Sequence, residues 1–500
     1  MHSEKPGKGG GLLNVENLID RYVAGTISDS EMDELNAHLE QVPAARDELV
    51  DVLNLDSALS SIAAGWGLDE GEKIESFPSR CTTGIRALIA FGAAAVAVLA
   101  LFFVFLVSAK NDVPFATVEN GIGVEAFAKG DVLFNDEVVL AAGTLELRTA
   151  RGAKVVIEAP AEFRWESEQK LYLMSGRLAA DVPPAAKGFT VITPDGEAVD
   201  LGTKFGVDVP REGDSEIHVF EGEVIAQSSN DGERQSLKGG EALALNEDLR
   251  QERELRSAAF IHSDEVSELS AGIAAGQRMR AAKADDLLRS DPALVAFIDF
   301  ETTRHPGVYR VVQGRWPGSV APEFVNVGDH MSLDVGGDRS FSQLTLSAWV
   351  RLDRLGAPYQ SLLHTDGWSR DNPGQVHWMI NQNATMRLAL NSNTLDPGAE
   401  EKHGYPDSRT PVLPERGRWV HLAVTYDAEM KVVRFFFNGA FDKETKLKVA
   451  HPARLGPAQI GNWDRNDRKL SGRIDQLVIL GRVLQDEEVQ GLYESGNPYR

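Results

Sequence analysis

Residues 87–109 read ALIAFGAAAVAVLALFFVFLVSA, without a charged side chain between Arg86 and Lys110. A helix of that length, rising about 1.5 Å per residue, spans a hydrocarbon core of about 30 Å. A buried helix of a soluble domain would show a polar face and seldom runs so far without a charge. The stretch therefore reads as one transmembrane helix, and the chain has to fold as a short part before it and a long part after it. Val107, Ser108 and Ala109 are small enough for a cleavage site. A signal sequence, however, has a shorter apolar region and begins near the N-terminus, so an uncleaved anchor is expected. Lys73, Arg80 and Arg86 precede the span, and Lys110 and Lys129 follow it. This slight positive-inside bias puts the N-terminus in the cytoplasm. The C-terminal part would then be periplasmic, and the whole a single-pass protein of the cytoplasmic (inner) membrane.

The 500 residues exceed one hydrophobic core and imply three or four folded units. A net charge of -24 argues against binding nucleic acid, whose phosphates need a basic surface, and against broad polybasic attachment to lipid. Cys81 is the single cysteine, which excludes an intramolecular disulfide and a Cys-rich metal site.

Before the span, Val15, Leu18, Ile19 and Tyr22 share a helical face that stops at Gly25. Ser28 and Glu31 form a capping-box pattern, Met32, Leu35 and Leu39 keep helical spacing, and Pro43 opens a third helix. Three short helices over 1–80 make a small all-α bundle with little interior, of the kind that completes its core by binding. The run LIDRYVAGTISDSEMDELNAHLEQVPAARDELVDVL resembles the cytoplasmic domain of membrane-bound anti-sigma factors. That resemblance implies an extracytoplasmic-function sigma factor as partner, held through Leu18, Tyr22, Leu35 and Leu39. With His38 and no cysteine in this segment, it would be a zinc-free version; His38 alone reads as an exposed helix residue. A stalk-like bundle that binds nothing is the plainer alternative.

Over 113–247 the period becomes two, as in Leu145/Leu147, Val155/Ile157, Phe163/Trp165, Leu171/Leu173 and Ile217/Val219. Strands with one buried face and glycine turns follow, as a roll, solenoid or sandwich. Thr193-Pro194-Asp195-Gly196, Asp200-Leu201-Gly202-Thr203-Lys204-Phe205 and Val219-Phe220-Glu221-Gly222-Glu223-Val224 resemble the FecR family. Its members are transmembrane sensors that regulate a sigma factor from the envelope side. The same glycines have a structural account as turns, and Thr203 as a strand-corner hydrogen bonder. No nucleophile with a base, metal cluster or phosphate loop is recognisable.

Residues 248–292 read as a helical linker with Ile261, Val266, Leu269, Ile273, Met279, Leu287 and Leu288 on intermittent faces, weakened at Gly272 and Gly276 and ended by Pro292. Its mixed charges read as a solvated face. From 293 to 500 strands return, with LTLSAWVRL, RWVHLAVTY, a hairpin at Asn438-Gly439 and a closing helix from Asp486. The residues Leu346-Ser347-Ala348-Trp349-Val350, Trp419–Tyr426, Phe437-Asn438-Gly439, Ile460-Gly461-Asn462 and Gly472-Arg473-Ile474-Asp475 resemble laminin-G-like domains of the concanavalin A jelly-roll class. Such domains bind carbohydrate or protein ligands, and some hold calcium.

Two loops are candidate ligand sites, one with Trp368, Asp371 and Asn372, the other with Asn462, Trp463 and Asp464. Tryptophan stacks on sugar faces, and amides and carboxylates bond hydroxyls or hard cations. Asp299 and Asp475 are further oxygen ligands for calcium; otherwise no cofactor is expected. All of these are also ordinary loop residues of a sandwich. Paired carboxylates projecting across a cleft, as glycosidases need, are missing from the terminal strands, so no enzyme is expected. The expected molecule is multidomain: an α bundle, one membrane helix, an all-β FecR-type domain, a helical linker and an all-β jelly roll. It would bind a sigma factor inside and a glycan or envelope protein outside. The competing reading is an envelope adhesion scaffold without a regulatory role.

Overall fold

The computed structural model describes residues 114–229, 234–245, 251–369, 371–400 and 404–499. The expected bundle at 1–80, with Leu18, Tyr22, Leu35 and Leu39, and the expected span at 87–109 lie outside them. Among the described residues no helix is long and apolar enough to cross a membrane. From Asn111 onward the chain forms one compact unit, mostly β-sandwich.

The period-two residues of the first region face one core: Leu145, Leu147, Phe163, Trp165, Leu171 and Leu173 are wholly buried. Two long strands, β1 (Lys154–Ser167) and β2 (Lys170–Asp181), form its central hairpin. The first residues of β2 pair in parallel with Thr190–Ile192. Its later residues pair antiparallel with β3 (Lys204–Val209), which in turn pairs with β4 (Ser215–Glu221). One strand thus serves two layers that close over the core. Every other described pairing in this domain is antiparallel, which excludes a parallel solenoid. Gly202 and Gly222 take the positive φ expected of turns, 103° and 86°. The Thr203 hydroxyl donates to Asp200, whose other oxygen accepts the Gly202 amide at 2.8 Å.

The terminal domain stacks a nine-stranded sheet on a six-stranded one. The larger contains β5 (Gln343–Leu352), β9 (Trp419–Asp427) and β10 (Gly472–Leu480). The smaller contains β6 (Gln360–Thr365), β7 (Val376–Ile380) and β8 (Met386–Leu390). Leu346, Val350, Trp378, Leu388, Val424 and Ile474 lie in the core between them. The hairpin is where the sequence puts it: Phe437 pairs with Ala440 across Asn438-Gly439, both residues at positive φ.

Helices α1 (Ser263–Ala274) and α2 (Gln277–Arg289) occupy the connector and break at Gly276, φ 78°. The apolar side of α1, Val266 and Leu269, packs with Ile122 and Val156 of the first β domain. On the outside of the nine-stranded sheet, Leu288 of α2 and Val489 of α3 (Asp486–Gly496) pack on Ala423, Phe436, Val478 and Leu480. Met279 and Leu287, expected on the apolar face, are exposed instead, since adjacent Leu287 and Leu288 cannot face one way on a helix.

The connector's charges are not all solvated. Glu265 is buried and receives two bonds from Arg351 of β5, at 2.5 and 3.0 Å. Arg177 of β2 donates to Glu323 at 3.0 and 2.8 Å and to Asp208 at 3.0 Å. Arg473 of β10 reaches Glu158 of β1 at 2.5 Å, and both Arg177 and Arg473 donate to the Ala259 carbonyl. Arg256 and Arg310 complete the cluster on Asp208, at 2.8 and 2.9 Å. Against the burial that opposes it, these arginines hold the Asp208 and Glu323 carboxyls well below the ordinary carboxylate range. A buried charge web therefore ties the first β domain, the connector and the terminal sandwich together.

Candidate functional site

On β7 the core takes Val376, Trp378 and Ile380, so alternation turns His377 and Met379 to the other face. Register then sets His364 and Ala389 beside His377, and Arg387 beside Met379. Residues 366–369 and 371–372, after β6, and 461–469, after the strand Ala453–Ile460, fold over this face. The two loops singled out from sequence meet: the Gly367 amide donates to Asp464 at 3.0 Å.

The Trp368 ring lies on His377 with centroids 3.8 Å apart, His377 stands 4.1 Å from His364, and Trp463 meets His377 edge-on at 5.3 Å. Arg468 stacks on Trp463, 3.9 Å from guanidinium carbon to ring centre. Its Nη1 donates to His364 Nε2 at 3.0 Å and to His377 Nδ1 at 3.2 Å. Both imidazoles are neutral: burial first, and Arg468 with it, pushes His364 well below its usual value and His377 down to about 3. The tautomers follow from the partners. His364 bears its proton on Nδ1, toward Ser361 Oγ at 2.6 Å, and His377 on Nε2, toward the Thr365 carbonyl at 3.3 Å.

The site residues expected from sequence divide by exposure. Trp368 and Asn372 are half-buried, and Asp371 and Asp464 are exposed. Asn462 is wholly buried and bonded to backbone throughout, donating to the Val327 and Asp329 carbonyls and accepting the Trp463 and Arg468 amides. Trp463, 4% exposed, donates its indole N–H to Asp467 and serves as the wall behind Arg468. Asp299 and Asp475 belong to the nine-stranded side, away from these loops. Asp299 accepts from Arg289 at 2.7 Å and from the Glu301 amide at 3.1 Å; buried Asp475 accepts the Arg315 amide at 2.6 Å. Among the described residues no group of three or more His, Cys, Asp or Glu side chains is placed to hold a metal.

Sequence reading missed His364, His377, Arg468, Gln375 and Asn391. Gln375 holds the first loop through the Ser369 amide and the Asp366 and Gly367 carbonyls, and Asn391 through the Asn372 carbonyl at 3.1 Å. The alternation in VHWMI carried the signal for His377; nothing local marked Arg468. Ser361–His364 and Ser347–His421 (2.7 Å) are spaced like nucleophile–base pairs, yet all four side chains are buried. Elsewhere, grooves of about 1000 and 660 Å³ flank the first β domain. The former is lined by Glu119, Lys154, Asp181 and Lys204, the latter by Arg211, Glu212 and Arg304.

Residues 136–225 match the FecR protein family, and residues 326–490 match the concanavalin A-like lectin/glucanases superfamily. No curated protein matches the chain. A proposed carbohydrate-binding protein from Bacteroides ovatus is similar at 16% identity over 34% of this chain and 46% of its own, with TM-score 0.26. A proposed anti-sigma factor from Parabacteroides distasonis aligns at 17% identity over 25% of this chain and 62% of its own, TM-score 0.22. Domain 4 of an extracellular arabinanase from Geobacillus stearothermophilus, in complex with arabinotriose, aligns at 19% identity over 40% and 98%, TM-score 0.29. The chain thus spans less than half of the first and under two thirds of the second. It therefore carries a FecR domain and, C-terminal to it, a concanavalin A-like jelly-roll domain.

Proposed function

We propose that this protein is a sigma-factor regulator whose jelly-roll domain binds carbohydrate outside the cytoplasm. One observation carries the reading: a FecR domain is joined to a lectin-superfamily sandwich through buried ion pairs rather than a loose tether. A ligand shifts a regulator only by binding two of its states unequally. A sandwich locked to the FecR domain passes such a bias on, where a loose linker would dissipate it. The apolar run at 87–109 supports a single pass through the cytoplasmic membrane, and the helical pattern at 1–80 supports sigma-factor contact through Leu18, Tyr22, Leu35 and Leu39. Binding rather than hydrolysis fits the loop cluster, whose reachable groups include Trp368, Asp371, Asn372 and Asp464 around a buried histidine pair.

Co-expression of the full chain with the sigma factors of its own genome tests the inner half. One of them is expected to co-purify, and to be lost on deleting residues 1–80; an unchanged transcript profile after that deletion would defeat the regulatory reading. Glycan-array binding, with calcium and with a chelator, tests the outer half and the expected calcium at Asp299 and Asp475.

A further inference from the structure

We propose that Arg468 makes the loop cluster a receptor for carbohydrate bearing a carboxylate, a uronic or sialic acid residue. The inference deepens the glycan-binding reading and rests on it. Arg387, on the same sheet face, is neutralised, giving two donors to Asp407 at 2.6 and 2.7 Å. Arg351 and Arg473 are paired likewise. Arg468 departs from that pattern. Its Nη1 is spent on two imidazoles, which accept a hydrogen bond but return no charge. Among the described residues the only carboxylate oxygen within ion-pair range is Asp467 Oδ1, 3.9 Å from Nε, on a side chain 66% exposed, and that oxygen accepts the Trp463 indole. No described residue accepts a hydrogen bond from Nε or Nη2.

The guanidinium is also held ready. Trp463 backs one face, the Tyr359 ring lies 5.4 Å away, and the Arg468 backbone is fixed at both ends, its amide to Asn462 and its carbonyl to the Ser361 amide at 2.8 Å. A fork fixed in this way loses little rotamer entropy when a carboxylate takes its open edge. Its side chain is 20% exposed, so that edge is reachable. Through His377 it adjoins the half-buried Trp368, an aromatic plane for the sugar ring. In a chain of net charge -24 a general attraction to anions is absent, so selectivity must arise locally, at Arg468 with the exposed Arg465, 4.7 Å from the Trp463 ring, beside it.

The test is calorimetric titration of the full-length protein in detergent micelles. The probes are oligogalacturonate, its methyl ester, sialyllactose and lactose. Oligogalacturonate or sialyllactose is expected to bind at least tenfold more tightly than its neutral counterpart; which of the two does so identifies the source of the carboxylate. Arg468→Gln should abolish that preference, bringing acid and neutral counterpart within twofold of each other, and Arg468→Lys should restore part of it. The ester comparison uses the unaltered protein and so stands even where a variant misfolds. Equal binding of acid and ester would overturn the carboxylate assignment and leave glycan binding standing. Binding of no sugar would overturn both.

Discussion

A methyl group on Gly206 would sit 2.5 Å from the Phe260 ring. Phe260, 1% exposed, belongs to the connector and packs with Ala179, Ala259 and Phe220, and its carbonyl accepts from Arg351. Gly206→Ala should therefore pry the connector from β3 and cost about 1–3 kcal/mol. Gly491, exposed on α3 with open space around it, is the converse case, and Gly491→Ala should add roughly 0.5–1 kcal/mol. Opposite shifts in the urea midpoint check the pair; two losses would refute the packing account. At this scale the sequence singled out, through their tryptophans and amides, two loops that the fold brings together. It did not show that Trp463 faces inward or that Arg468 stands over His364 and His377, because those neighbours are about 90 and 100 residues apart and are joined only by sheet register.

The connector, read as a solvated helix, is an element with two buried sides. Its helical spacing and its break at Gly276 are written locally, by Val266 and Leu269 and by a residue free to take φ 78°. Its salt-bridge partners are not, for Glu265 finds Arg351 across 86 residues of sequence. Removing one member of such a buried web leaves its counterion without compensation, at about 3–5 kcal/mol. Arg473→Met should destabilise the protein by that order. Combined with Glu158→Leu it should cost less than the two losses added, because the double variant strands fewer charges. Denaturant midpoints of the four proteins close this cycle, and strict additivity would show the pair to be energetically independent.

Over the whole molecule, buried histidines make stability depend on pH. His377 and His421 are pushed by burial to about 3, and His218 and His364 move the same way. In the unfolded chain each takes a proton near pH 6.5, while the native state refuses it, so their contribution is complete above 6.5 and falls as pH drops toward 3. Between pH 7 and pH 5 the loss is about 2 kcal/mol for each of His377 and His421. Glu216 adds to it lower down: burial opposes its ionisation, but His218 and Arg256 hold it at about 2, so its contribution disappears from pH 4.5 toward 2. Asp353 works against the trend, since burial raises it to about 6 and protonation relieves a buried charge. Urea midpoints should fall between pH 7 and pH 5, and His421→Gln should flatten that slope; a midpoint that rises on acidification would contradict the neutral-histidine assignment.

By itself the sequence determined the period of each segment, and so the β class of both domains, the Asn438-Gly439 hairpin and the helices of the connector, because those depend on residues within a few positions of each other. It also marked the apolar run at 87–109. Only the tertiary structure decided what covers the outer face of β5. Thr345, Ser347 and Arg351 alternate with core residues as solvent-facing positions would, and yet all three are buried. Ser347 bonds His421, Arg351 bonds Glu265, and Thr345 bonds the Arg482 carbonyl at 2.7 Å. A polar residue on a strand states that its partner must be polar; whether that partner is water or a distant carboxylate is settled when the elements pack.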